Sequence, residues 1–167
     1  QVGSTVATEL SREESNELTV IDINQQILSD LQDRLDLRTI CGNGSYPGLL
    51  EDAGADDADM IIALTNSDEV NMIACQIAYT LFHTKTKIAR IRSAEYIKAE
   101  KLWHQSAVPV DFRISPEELV TEHIEQLIHY PGAFQVLEFA SGAVRLVGAR
   151  AHRGGLLVGQ QIKALVE

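Results

Sequence analysis

The chain has 167 residues, 45% of them hydrophobic, which is enough for one ordinary domain and part of a second. Its 14 basic and 24 acidic residues give 14 − 24 = −10, so neither a nucleic-acid duplex nor an anionic lipid surface is the expected general partner. Cys41 and Cys75 have no metal-ligand spacing and read as structural thiols of a reduced, cytoplasmic chain; no signal peptide is read ahead of the first motif, and no apolar run reaches the length of a bilayer span.

In chain order, Val6, Ala7 and Leu10 fall at helical spacing, so a helix is predicted from Ser4 to about Leu10, with Gly3 at its start. Leu18-Thr19-Val20-Ile21-Asp22 comes next. Three consecutive residues there branch at Cβ and no polar alternation interrupts them, which predicts a parallel strand buried on both faces and ending on a carboxylate. Asp22 lies 22 − 3 = 19 residues after Gly3. That is the separation at which a carboxylate at a strand end accepts hydrogen bonds from a ribose opposite a glycine-rich turn, with Gly3 as the last glycine of G-x-G-x-x-G. Such a carboxylate disfavours a 2′-phosphate, so NAD(H) or an adenosine nucleotide is preferred to NADP. Capping or plain solvation is the alternative for Asp22.

Ile27, Leu28, Leu31 and Leu35 form the next helical stripe, and Leu37 to Cys41 reads as a strand. The turn Gly42-Asn43-Gly44-Ser45 stands at its end, either approaching an adenine or ribose edge or simply reversing the chain. A short helix is predicted from Tyr46 to Ala53. Met60 to Thr65 reads as the clearest buried strand, and Thr65-Asn66-Ser67-Asp68 at its end either hydrogen-bonds a nucleotide or caps the helix carrying Val70, Ile73, Ala74, Ile77, Ala78 and Leu81. Lys87 to Arg92 is predicted as a strand with Arg90 and Arg92 on one face, as phosphate ligands or as surface ion pairs. A helix from Ala94 to about Trp103 and a last strand from Ala107 to Ile114 complete an alternation that demands a mostly parallel sheet with helices on both faces.

Ser115-Pro116-Glu117-Glu118 opens a helix with a cap, a proline in the first turn and a capping-box glutamate. Its wide stripe of Leu119, Val120, Ile124, Leu127 and Ile128 can pack on its own sheet or on another subunit, and Pro131-Gly132 ends it. Phe134 to Phe139 and Val144 to Ala149 read as a hairpin, and residues 131–167 are too few to close a core alone. The expected organisation is residues 1–114 as a nucleotide-binding domain, 115–132 as a crossover or dimerisation helix, and 133–167 as the beginning of a small α+β module. Classical catalytic groupings are not read anywhere, and the five histidines are scattered.

The strings Q-V-G (1–3), L-T-V-I-D (18–22), C-G-N-G-S (41–45), D-A-D-M-I-I-A-L-T-N-S-D-E-V-N-M (57–72), K-I-A-R-I-R (87–92) and A-V-P-V-D (107–111) together resemble the TrkA family, the nucleotide-binding subunits of bacterial potassium-uptake systems built on the RCK or KTN domain. The resemblance implies a Rossmann-like, doubly wound parallel sheet whose first strand and first two glycines are missing here, followed by the opening of the family's C-terminal domain, where Leu157-Val158-Gly159 matches a recurring turn. It implies binding of NAD(H), and in related members ATP or ADP, without turnover. It also implies pairing into a dimer or a tetrameric ring on the cytoplasmic face of a membrane potassium channel, whose pore responds to ligand exchange. Carried over by position, Gly3 falls on the glycine-rich loop and Asp22 on the ribose acid. Gly42, Asn43 and Ser45 fall near the adenosine, Thr65 and Asn66 near the pyrophosphate or nicotinamide, and Arg90 with Arg92 near phosphate. An NAD-dependent oxidoreductase domain is the alternative function, and it needs a substrate domain for which residues 131–167 are too few. A pure assembly module with a vestigial cleft is a third.

Overall fold

A computed structural model describes residues 2–104, 106–139, 142–155 and 158. The chain divides into two compact units at Ser115/Pro116. In the first, strand and helix alternate: α1 (Val2–Leu10), β1 (Thr19–Asp22), α2 (Gln25–Gln32), β2 (Arg38–Cys41), α3 (Pro47–Asp52), β3 (Met60–Ala63), α4 (Asp68–Thr80), β4 (Thr86–Arg90), α5 (Ala94–Lys98) and β5 (Phe112–Ile114). Every strand pairing is parallel, as β-branched strands joined by helical crossovers require.

The strands form two sheets, β1-β2 and β3-β4-β5. Asp22 pairs with Cys41 at the carboxyl end of the first, and Ala63 with Ala89 in the second. Two expectations of burial are corrected here. All four residues of β1 are half-exposed rather than buried on both faces, and in β3 only Ala63 is buried while Met60 is 48% exposed. The cause is topological: β1 and β3 each have one paired edge among the described residues, so apolar composition did not bring the burial that a central strand receives.

The principal core lies around the second sheet. Ala63, Met72, Ala74, Cys75, Ala89 and Ile91 are buried together, with Tyr96, Ile97, Trp103, Val108 and Val110 packed against them. Burial pushes the Cys75 thiol up to about 12, the apolar behaviour expected of it. Cys41, in contrast, is exposed at the end of β2 and is not a core thiol. The helix expected from Ala94 to Trp103 is α5 followed by a 3-10 turn at Glu100–Leu102, and the strand expected from Ala107 narrows to β5. Buried Pro109 has no N–H to give a ladder, and the Val108 N–H turns back to Leu102 O at 3.0 Å.

Lys87, in the strand expected from Lys87 to Arg92, is buried despite its charge. It shares the inward face of β4 with Ala89 and is 3% exposed. Its Nζ lies 2.8 Å from Asp111 Oδ2, donates to the carbonyls of Thr84 and Lys85, and stands 5.5 Å over the Tyr79 ring. Burial pushes the Asp111 carboxyl up, but hydrogen bonds from the Lys87 side chain and backbone together with its charge hold it below its usual value.

In the second unit α6 (Pro116–His129) packs on an antiparallel hairpin, β6 (Ala133–Phe139) and β7 (Val144–Ala149). Val136 is buried, and Arg145 pairs with Glu138 at 2.7 Å and donates to Tyr130 Oη at 2.8 Å. Leu119, Val120, Ile124 and Ile128 of α6 are exposed. Leu157 and Gly159 of the expected turn lie outside the described residues.

Candidate functional site

The expected site residues occur at the carboxyl ends of four strands and in the first turn of α1. Asp22 ends β1, half-exposed. Its Oδ1 accepts the Asn24 N–H at 2.8 Å, and Asn24 in turn caps α2 by accepting from Gln26 and Ile27. Among the described residues the second carboxylate oxygen takes no hydrogen bond, so Asp22 is anchored by one oxygen and presents the other.

The turn after β2 is joined to the end of β1 through the Asp22 backbone carbonyl. Gly42 N donates to Asp22 O at 2.9 Å, and Gly44 lies against Ile21. Asn43 Oδ1 accepts from both the Ser45 N–H at 3.0 Å and the Ser45 hydroxyl at 2.8 Å, which closes the turn on itself. A Cβ on Gly42 would stand 2.1 Å from Leu49 Cδ1, so the Leu49 side chain of α3 would have to shift to admit one. Gly3 is different. A Cβ there meets only Leu64 Cβ, at an ordinary 3.9 Å, so packing within the described residues does not demand a glycine.

Gly3 and Leu64 belong to a second group of residues. Thr65 and Asn66, both exposed, form the β3–α4 loop, and Arg92 comes just after β4. These positions are joined by two side chains of α4 that are absent from the expected site. Asn71, fully buried, accepts from Thr65 N at 2.9 Å and Thr65 Oγ1 at 2.8 Å, and its amide donates to Arg90 O at 2.8 Å. Buried Asp68 accepts from the N–H groups of Arg92 and Ser93 at 2.9 and 2.8 Å. The Arg92 guanidinium donates to Asn66 O and lies 3.8 Å from Asp68 Oδ1. Asn71 has a signal in the sequence: it stands in register with Ala74, Cys75 and Ala78, a lone amide on an apolar stripe.

Around the helix start, Ser67 caps α4 through Val70 N and donates its hydroxyl to Glu69 Oε2 at 2.7 Å. That bond, with a backbone contact and a hydrogen bond from the Tyr96 hydroxyl, holds the Glu69 carboxyl below its ordinary value, and the bond to Glu69 together with its charge raises Tyr96 in turn. Asp22 with 42–45, and Gly3 with 64–66 and 90–92, are thus two local groupings, one on each sheet of the first unit. A concavity of about 550 Å³ between α1 and α2, lined by Ser4, Thr5, Ile27, Asp30, Leu31 and Arg34, contains none of the expected ligand-binding residues. Among the described residues no cluster of side chains could hold a metal ion, and no helix is long and apolar enough to cross a membrane.

The first grouping sets a carboxylate oxygen beside a small turn, and the second sets a hydroxyl-bearing loop beside a guanidinium. The TrkA-N domain family model matches residues 1–115. The chain belongs to this family. The Trk system potassium uptake protein TrkA of Halomonas elongata is 56% identical over 97% of this chain, which spans 35% of that relative's length. Among solved structures, the TrkA-N domain of the inner membrane protein ybaL from Escherichia coli superposes with a TM-score of 0.65 at 16% identity, covering 77% of this chain and 90% of that one. The GsuK channel bound to NAD gives 0.60 at 16% identity, covering 83% of this chain and 23% of the channel. At such identities the likeness shows the fold, which is Rossmann-like.

Proposed function

We propose that this TrkA-N unit binds NAD(H) or an adenine nucleotide and serves as the cytoplasmic regulatory part of a potassium-uptake system, passing its ligand state to a membrane channel or transporter partner. Family membership supports the class, and Asp22 carries the site: a strand-end carboxylate held by one oxygen, with the other available to ribose hydroxyls. Gly3, with no packing reason among the described residues for its missing side chain, allows a phosphate to approach the start of α1. Gly42, Asn43 and Ser45 line the adenosine side, and Thr65, Asn66, Arg90 and Arg92 the phosphate or nicotinamide side. The relative named for potassium uptake and the channel solved with NAD are what make a transport role the preferred use of such a site.

Regulation needs no catalytic residue. It needs a ligand that binds two conformations unequally, and a factor of 10 in that inequality corresponds to about 1.4 kcal/mol of coupling. The exposed stripe of Leu119, Val120, Ile124 and Ile128 suits pairing of α6 with a second copy, as a dimer or within a ring. The test is calorimetric titration of the full-length protein with NADH, NAD and ATP. Saturable binding of at least one is expected; no binding of any of them refutes the proposal, and steady NADH oxidation with a small carbonyl substrate would move the assignment to an oxidoreductase.

A further inference from the structure

The first turn and a half of α4 joins the two loops to which the phosphate side of the site has been assigned. Asp68 and Asn71 both start there, and both are buried. Asp68 divides its oxygens: Oδ2 takes the Arg92 and Ser93 N–H groups, while Oδ1 has no hydrogen-bond partner among the described residues and faces Arg92 Nε at 3.8 Å. The same guanidinium donates to Asn66 O on the neighbouring loop, so Asp68, Arg92 and Asn66 close a ring between loops. The Arg92 side chain nevertheless keeps 40% of its surface exposed.

From this ring we infer that Asp68 is a positioning residue for nucleotide phosphate, acting through Arg92. The inference rests on the phosphate role proposed for Arg92 and deepens it. A buried carboxylate needs a cationic partner, and Arg92 is the cation it faces. One edge of a planar guanidinium is therefore fixed towards Asp68 and Asn66. With 40% of the side chain still exposed, a guanidinium held along that edge is preorganised for bidentate phosphate binding. An arginine without this tether would have to give up the rotamer freedom of a long side chain each time it closed on a phosphate.

The experiment titrates the full-length protein with ADP and with adenosine, comparing the wild type, Asp68→Ala, Arg92→Gln and the double variant. Adenosine reports the ribose and base side alone. Arg92→Gln is expected to weaken ADP about tenfold and adenosine less than about twofold, and Asp68→Ala to show the same selectivity at about fivefold or more. The double variant should be no weaker for ADP than Arg92→Gln, because Asp68 has nothing left to act through. Asp68→Asn, which keeps an oxygen for the two backbone amides but loses the charge, should show the same selective loss and supplies the comparison if Asp68→Ala does not fold. Equal loss of ADP and adenosine in Asp68→Ala, full additivity with Arg92→Gln, or wild-type ADP affinity in Asp68→Asn would each overturn the positioning role while leaving nucleotide binding intact. Unchanged ADP affinity in Arg92→Gln would remove the phosphate role beneath it.

Discussion

The side chain of Asn71 donates to the Arg90 carbonyl at 2.8 Å while accepting the Thr65 N–H at 2.9 Å, so one buried amide ties the end of β4 to the loop after β3. Each such bond is worth about 1 kcal/mol net, but removing the amide also strands a buried donor and an acceptor. Asn71→Ala is therefore expected to lower unfolding stability by about 2–4 kcal/mol, read as a shift in urea midpoint. A loss below about 0.5 kcal/mol would mean that the network is not buried as described.

Gly42→Ala tests whether that glycine serves packing. Its new Cβ would collide with Leu49 Cδ1, and the side chain must turn away from its well. A destabilisation of about 1–2 kcal/mol is expected. Adding Leu49→Ala should make the Gly42→Ala penalty nearly disappear when the pair is compared with Leu49→Ala alone. If the penalty persists in the Leu49→Ala background, the glycine is required by something other than α3.

Acid stability should depend on Asp111. Its folded carboxyl lies below its unfolded value, so the stabilisation it contributes is fully present above the unfolded value of about 3.9 and is lost as pH falls through the lower folded value. Urea melts from pH 6 down to pH 2 should show this slope at the acid end in the wild type and a shallower one in Asp111→Asn. Asp111→Asn also leaves the Lys87 ammonium, 3% exposed, without its countercharge, so its stability at pH 7 should be lower by about 2 kcal/mol. Equal acid slopes in the two proteins would refute the assignment.

The two thiols should separate cleanly in a maleimide-labelling assay at pH 8. Cys41 is exposed and reacts in the native protein, whereas Cys75 is buried with its thiol near 12 and reacts only after denaturation. Labelling of both at equal rates without denaturant would contradict the packing around α4.

Much of the fold is legible from local pattern. β-branched runs separated by amphipathic stretches specify parallel strands with crossover helices, and Ser67 and Pro116 mark helix starts by ordinary capping and first-turn chemistry. What is not legible depends on neighbours distant in sequence. The apolar run of β3 looks buried, but its burial is decided by which strand lies at each edge, and that is a property of sheet order. The burial of Lys87 likewise depends on Asp111, from another strand's approach, which supplies its counterion. In the candidate site, Asp22 and Arg92 stand out because strand ends face ligands in α/β sheets. Asp68 and Asn71 are hidden inside a motif that also fits helix capping, and only the contacts to Arg90, Arg92 and Thr65 show what they tie together.

The central claim is that Asp22 holds the ribose of a bound nucleotide, and the direct measurement is calorimetric titration of NADH into the full-length wild type and into Asp22→Ala. Loss of the charge-assisted bonds to the ribose hydroxyls should weaken NADH by about tenfold or more, with the melting temperature of the nucleotide-free protein little changed because Asp22 is half-exposed. Equal NADH affinity in the two proteins would contradict the account.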